Sequence, residues 1–470
     1  MRNTILFLAA SLSSLGADDG VLTRVAQHAD HFGAVSRQIW ESPELGFHET
    51  KSSSLLSSEL GKAGFVLQEG VAGMPTAFVA SWGSGKPVVA ILGEFDALPG
   101  LSQQDVPGKQ PIVDGAPGHG CGHNLLGSAS ALAAVAVKEE MQARGLKGTI
   151  RYYGTPAEEG GGGKVYMLRA GLFRDVDVVL AWHPGDANRA NLRSCMAVIG
   201  AKFRFYGIAS HAAGSPEKGR SALDGAMVML NAVEFMREHV PEGTRIHYVI
   251  SNGGAAMNVV PAFAEVSLGA RHPDAAALAG IWDRILKCAQ GGAMATETKV
   301  EPVLIMNYAN ILPNDALTQV IQRNLRKAGG YDYTPDERRF AGELQKSLTG
   351  FEGRQGPDQV STDGPEGADA YSTDFGDISW NLPSVQFTAA TYPPGTPAHS
   401  WQATACAGSS IGRKGMLVAA RTLALSAMEL LTDPGQVDAA KTSFAKRRAG
   451  RDWSTLIGPE SKPPLDYITK

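Results

Sequence analysis

Between residues 75 and 182 the chain alternates short apolar runs with helical text, and this alternation limits the fold more than any other feature. Pro75–Trp82 and Pro87–Leu92 read as strands, Leu125–Met141 as a helix dense in Ala, Val and Leu, Thr149–Tyr153 as a strand, Gly163–Ala170 as a short helix and Val176–Trp182 as a strand. Fully apolar strands separated by helices predict an α/β fold, a mostly parallel sheet with helices flanking it. In such sheets functional groups gather beyond the carboxyl ends of the strands. The polar motifs fall there: Asp96 after the second strand, Glu158-Glu159 after the third and His183 after the fourth. Upstream, Val25–Trp40 and Thr50–Leu60 read as helices split by a Pro/Gly turn.

Past Asn191 the pattern changes. Met196–Tyr206 alternates as a long strand, Ser221–His239 reads as a helix, Arg245–Ser251 and Ala264–Arg271 as strands, Asp274–Gln290 as a helix and Thr298–Tyr308 as a strand. That order predicts an inserted α+β, ferredoxin-like unit. The expected division is a catalytic domain in two parts, 18–195 and 309–432, around an inserted domain at 196–308. Residues 433–470, with Lys441, Lys446, Arg447, Arg448, Arg451 and several prolines, read as a surface extension without chemistry.

The chain has 470 residues, 43% of them apolar, and a formal net charge of −4. That length supports two or three domains, and the charge offers no basic surface for nucleic acid. Arg2, an apolar run from Ile5 to Leu15 and then Gly16-Ala17 have the layout of a signal peptide over 1–17. The run is too short to span a bilayer. The expectation is an exported protein, periplasmic or extracellular, with a cytoplasmic enzyme carrying an apolar N-terminus as the alternative. Of four cysteines, Cys195 and Cys288 lie in apolar text, and only Cys121 has polar company.

Cys121 stands in Gly118-His119-Gly120-Cys121-Gly122-His123-Asn124. A thiol and imidazoles on so bendable a backbone suggest a metal site, although no Cys-x-x-Cys pair completes a zinc finger. Carboxylates and histidines at the neighbouring strand ends strengthen that reading. Glu158-Glu159 is followed by four glycines, and adjacent carboxylates in such a turn can aim differently, one toward a metal and one toward a water. Pro184 holds His183 extended. His399, in Thr396-Pro397-Ala398-His399, precedes the last helix. One thiolate, three imidazoles and a carboxylate suffice for two metals with a base beside them, the combination that amide hydrolysis needs. Thiolate and imidazole favour zinc, with manganese, cobalt and nickel compatible.

These motifs resemble those of the aminoacylase/carboxypeptidase family of co-catalytic metallopeptidases, in particular its N-acyl-amino-acid amidohydrolases acting on aminobenzoyl-glutamate-like substrates. Further motifs that carry the likeness are Gly93-Glu94-Phe95-Asp96-Ala97-Leu98, Gly207-Ile208-Ala209-Ser210-His211, Asn258-Val259-Val260-Pro261 and Ser372-Thr373-Asp374-Phe375-Gly376-Asp377. It covers about Val25 to Leu431. The resemblance implies that Cys121, His123, Glu159, His183 and His399 hold two divalent ions, that Glu158 is the general base, and that Asp96 steadies a ligand imidazole. It also implies that His211 stabilises the oxyanion, reaching the site from a partner protomer, and that Asn258 and Arg271 hold the substrate. A homodimer follows, or a heteromer with a homologous subunit. Many members carry aspartate after the motif histidine, where this chain has Asn124.

The implied activity is hydrolysis of N-acyl or N-aroyl amino acids. Rivals are a dipeptidase or carboxypeptidase of the same family, a thiol amidase using Cys121, and a non-catalytic exported protein that binds small acids.

Overall fold

A computed structural model describes residues 3–361, 366–453, 455–458 and 460–467, with side chains described from 18 onward. The expected leader, 1–17, therefore lies outside the fully described residues. Helices Asn3–Glu41 (α1) and Thr50–Lys62 (α2) precede strands Val66–Glu69 (β1), Phe78–Ser84 (β2) and Val88–Gly93 (β3). His123–Arg144 (α3), Gly148–Gly154 (β4), Gly163–Arg169 (α4), Val178–Gly185 (β5) and Asn188–Arg189 (β6) follow. The inserted segment contains Ala197–Tyr206 (β7), Ala222–Met236 (α5), Arg245–Asn252 (β8), Phe263–His272 (β9), Ala275–Ala295 (α6) and Lys299–Tyr308 (β10). The chain then returns through Asp315–Ala328 (α7), Pro335–Gln345 (α8), Val360–Ser361 (β11), Phe375–Asn381 (α9), Ser384–Ala390 (β12), Trp401–Gly408 (α10), Ser410–Thr432 (α11) and Pro434–Arg448 (α12).

The large sheet has the order β1-β2-β4-β3-β5-β12-β6-β11. Its centre is parallel, β4 with β3, β3 with β5 and β5 with β12, and antiparallel pairs occur where β1, β2 and β6 join. β3 is buried at every position, as a central parallel strand with helices on both faces must be. Against it lies α3, buried from His123 through Val137 and packed between the sheet, α1 and α11. Its alanines let these neighbours approach closely. Among the described helices only α11 is long and apolar enough to cross a membrane, and it is mostly buried against α3, α7 and α1.

The inserted segment forms a second, antiparallel sheet of order β10-β7-β9-β8 with α5 and α6 packed on it, the ferredoxin-like arrangement. β9 alternates between buried and half-buried along its whole length, one face on the helices. β8 is an open edge, with only Ile246 buried.

Sequence reasoning missed β1, α8, α9, α10 and the two-residue strands β6 and β11, the last two of which lack the length for a periodic signal. It also misjudged the tail. Far from a surface extension, α12 packs on α7 and α11, with Val437 and Ala440 buried. Beyond it Trp453 Nε1 donates to Asp377 at 2.7 Å, Asn307 Oδ1 accepts from Leu456 N, and Ile457 enters the core. The basic residues concealed this packing, because Lys441 and Arg447 are paired with Asp177 and Asp315 of the main body. Trp453→Ala is expected to lower stability by about 2–4 kcal/mol in urea unfolding, with Trp453→Phe, which loses the hydrogen bond and part of the ring but stays aromatic, in between. An unchanged midpoint for Trp453→Ala would restore the loose-extension reading.

Candidate metal-binding active site

Asp96 follows β3, Glu158 and Glu159 follow β4, and His183 lies near the end of β5, so one sheet edge presents all four. Cys121 and His123 arrive on the turn that opens α3. Gly122, between them, has φ +74° and a space in which a Cβ would come within 2.6 Å of Tyr392 Oη, so only glycine makes this turn. His399 N donates to Gly120 O at 2.9 Å, which ties the fifth proposed ligand to the same loop. His399 and Ala157, the residue before Glu158, both have φ +57°. That is a costly conformation for residues with a Cβ, kept where the surroundings enforce it.

The ligand atoms fall into two groups. Sγ of Cys121 with one nitrogen each of His123 and His183 lie within 4.8 Å of one another, and so do Sγ of Cys121, a Glu159 oxygen and a His399 nitrogen. Cys121 is common to both. A third group joins Glu94, His123 and Glu158. Cys121 Sγ lies 3.4 Å from His183 Nε2, and His399 Nε2 lies 3.3 Å from Glu159 Oε2. His183 Nδ1 donates to Pro184 O at 2.8 Å, so its Nε2 lone pair faces the cluster.

The donor set fits divalent ions on a separate ground. His123 Nε2, Glu94 Oε2 and Glu159 Oε1 are buried without a hydrogen-bond partner among the described residues. Buried polar atoms are rarely left in that state. His123 Nε2 and Glu94 Oε2 approach to 3.2 Å without bonding geometry. A cation would satisfy such convergent acceptors, and a thiolate with three imidazoles suits zinc-like metals.

Asp96 binds two loops. Its Oδ1 accepts from His123 Nδ1 at 2.8 Å and its Oδ2 from Glu159 N at 3.0 Å. Burial would raise this carboxyl; the adjoining His123 outweighs burial and holds it below the ordinary range. Burial pushes the Glu158 carboxyl well up, with Glu94 and Glu159 adding to it, and burial likewise raises the Cys121 thiol. A group poised this way suits a proton acceptor that must also give its proton back.

Several members of the site escaped sequence reasoning. Lys164, fully buried on α4, places its Nζ 2.8 Å from Glu94 Oε1 and 2.5 Å from Asp374 Oδ1. Glu49, also fully buried, accepts from Ala157 N at 2.8 Å and from Thr76 Oγ1 at 2.9 Å, which anchors the Glu158 loop. Glu94, one residue past β3, was the legible one: its period-two partnership with Asp96 puts both on one face. Lys164 and Glu49 carried no signal, since lysine in a helix and glutamate before one are ordinary surface residues.

A cavity of about 630 Å³ opens over the cluster, lined among others by Cys121, Glu158, Glu159, His183, His399 and Arg271. Arg271, on β9, donates to Ser372 Oγ at 3.0 Å. His211 and Asn258 are not in its lining. Both are exposed on the inserted segment, where Asn258 O accepts from Ala212 N at 3.0 Å.

Comparison with known proteins gives concordant results. The profile of Peptidase family M20/M25/M40 matches residues 90–402. The chain is 41% identical to a p-aminobenzoyl-glutamate hydrolase subunit of Escherichia coli (strain K12) over 430 residues, 85% of this chain and 89% of that protein. It is 30% identical to Xaa-Arg dipeptidase of Mus musculus, covering 90% of each. Among solved structures, a dinuclear metal binding peptidase of the M20 family from Bacillus subtilis superposes with a TM-score of 0.57 at 17% identity, over 87% of this chain and 99% of that one.

Lys164→Met is expected to cost about 3–5 kcal/mol in urea unfolding, because it leaves two buried carboxylates without their cation. Asp96→Ala is expected to weaken metal affinity about 10–100-fold in a competitive chelator titration, through loss of the hydrogen bond that orients His123.

Proposed function

We propose that this chain, which belongs to peptidase family M20/M25/M40 and is a hydrolase of amide bonds, is a two-metal amidohydrolase of N-acyl or N-aroyl amino acids such as p-aminobenzoyl-glutamate. The observation that carries the reading is Glu158, a buried carboxylate beside two ligand triads that share Cys121. A non-catalytic binder has no use for such a group, and the family is one of enzymes. The substrate class follows the relative at 41% identity.

Cys121, His123 and His183 would hold one divalent ion and Cys121, Glu159 and His399 the other, zinc or manganese first, cobalt or nickel also compatible. Such ions, when bound, supply Lewis acidity to the amide carbonyl and to water. Glu158 takes a proton from the attacking water and delivers it to the leaving amine nitrogen, so the carboxylate is regenerated each turnover. Asp96 keeps the His123 ring from rotating while it does so. Arg271 holds the free carboxylate of the substrate in a bidentate pair.

His211 and Asn258 would reach a site across an interface between two protomers. The inserted unit offers a matching surface: the open edge of β8 and exposed Met227, Val228, Phe235, Val249 and Ile250. An unpaired strand edge with apolar neighbours favours a second copy of the unit. A homodimer follows, with His211 of each copy stabilising the oxyanion in the other. A heteromer with a homologous subunit would use the same surface, and the Escherichia coli relative is itself one subunit of a hydrolase. The catalytic parts 18–195 and 309–432 and the lid 196–308 serve as working boundaries. Residues 1–17 are proposed as the leader of an exported enzyme.

The likeness to a dipeptidase supports a second reading, cleavage of a dipeptide at the same centre. Side-by-side rates on N-aroyl amino acids and dipeptides separate the two.

Glu158→Gln is expected to lower kcat about 10²–10⁴-fold with metal content unchanged by elemental analysis. Chelation is expected to abolish hydrolysis and divalent ions to restore it. Activity that survives chelation would instead assign the work to the Cys121 thiol beside His183.

A further inference from the structure

The cavity holds a second guanidinium that the reaction described above does not employ. Arg189 lies on β6, and strand register relates it to the proposed ligand His183. His183 on β5 is paired with Thr388 on β12, and Thr388 is paired with Arg189. Residues directly opposed in a sheet project from the same face, and successive strands lie about 4.8 Å apart. Arg189 therefore shares a face with His183 two strands away, roughly 10 Å along one row of the sheet, and all three residues line the cavity.

The charge of Arg189 is only loosely compensated within the protein. Its Nη2 is 3.8 Å from Asp369 Oδ2, beyond hydrogen-bond reach, and Asp369 already accepts from Arg193 Nε at 2.7 Å. Arg189 Nε is buried with no hydrogen-bond partner among the described residues. Arg271 donates to the neutral Ser372 and has no ion pair among the described residues. The third arginine of the cavity, Arg354, is balanced by Asp186 at 2.9 Å. Arg271, without an ion pair among the described residues, and Arg189, with only a long one, thus line one cavity beside the candidate metal cluster.

Resting on the amidohydrolase reading, we propose that Arg189 binds a second carboxylate, on the side chain of the amino-acid half of the substrate, and so selects amides of dicarboxylic amino acids. Arg271 takes the carboxylate next to the scissile amide. Arg189, farther along the sheet, takes the distal one with its guanidinium. A neutral side chain of equal size forgoes the charge-assisted contact with that half-exposed guanidinium, and the site discriminates by that amount.

The test uses the metal-loaded enzyme with N-benzoyl-L-glutamate and N-benzoyl-L-glutamine, which match in size and differ in charge. Wild type is expected to favour the glutamate by about 10–100-fold in kcat/KM, the scale of a hydrogen bond to a charged group. Arg189→Gln is expected to bring that ratio to within about threefold, mainly through KM for the glutamate, and Arg189→Lys to retain part of it. The ratio is internal to each preparation, so loss of folded protein does not change it. If Arg189→Gln does not fold, the wild-type ratio and Arg189→Lys decide. Wild type that treats the two substrates alike, or Arg189→Gln that keeps the wild-type ratio, would overturn the assignment while leaving the amidohydrolase reading intact. An enzyme inactive on every amide would overturn both.

Discussion

One carboxylate holds the candidate metal site together. Asp96 accepts from the His123 ring with one oxygen and from the Glu159 amide with the other, at 2.8 and 3.0 Å. These two bonds connect the Cys121–His123 turn with the Glu158–Glu159 turn, which are otherwise separate loops at the end of a sheet. The arrangement orients an imidazole and fixes the backbone of a neighbouring proposed ligand through one side chain. Because Asp96 is fully buried, neither bond competes with water, and a small displacement would leave a charge without partners.

Around that carboxylate the protein has buried more charge than a soluble core ordinarily contains. Lys164 balances Glu94 and Asp374, while Glu49 holds the Ala157 amide. Each pair is costly to desolvate, and the reward is geometric precision. Glu94, Glu158 and Glu159 are kept close together although their charges repel. Burial and that repulsion push Glu158 toward the protonated form. Divalent ions would relieve the same repulsion, which is why the cluster reads as a metal site and a proton-transfer site at once.

The α/β class was legible because strands such as Val88–Gly93 are apolar at every position, which only a sheet covered on both faces permits. The ferredoxin-like insert was legible through its strand–helix–strand–strand–helix–strand order. Lys164 and Glu49 were not, since nothing local distinguishes a buried ionisable side chain from a solvated one. Arg189 was hidden by the brevity of β6: two residues carry no period, and only its pairing with Thr388 shows which way it faces. The tail misled for a related reason. Its basic residues look solvated, yet the partners that bind them, Asp177 and Asp315, are distant in sequence.

The sequence by itself determined the layer architecture and the chemistry at hand: a thiolate, imidazoles and carboxylates, each at the end of an apolar strand or at the mouth of a helix. Periodicity and residue type are local properties, and they were sufficient for that. Only the tertiary structure decided which atoms converge. It made Cys121 common to two ligand triads, joined two loops through Asp96, left His211 and Asn258 outside the cavity, and aligned Arg189 with His183. Convergence depends on strand order and register, and these are set by packing between segments far apart in the chain.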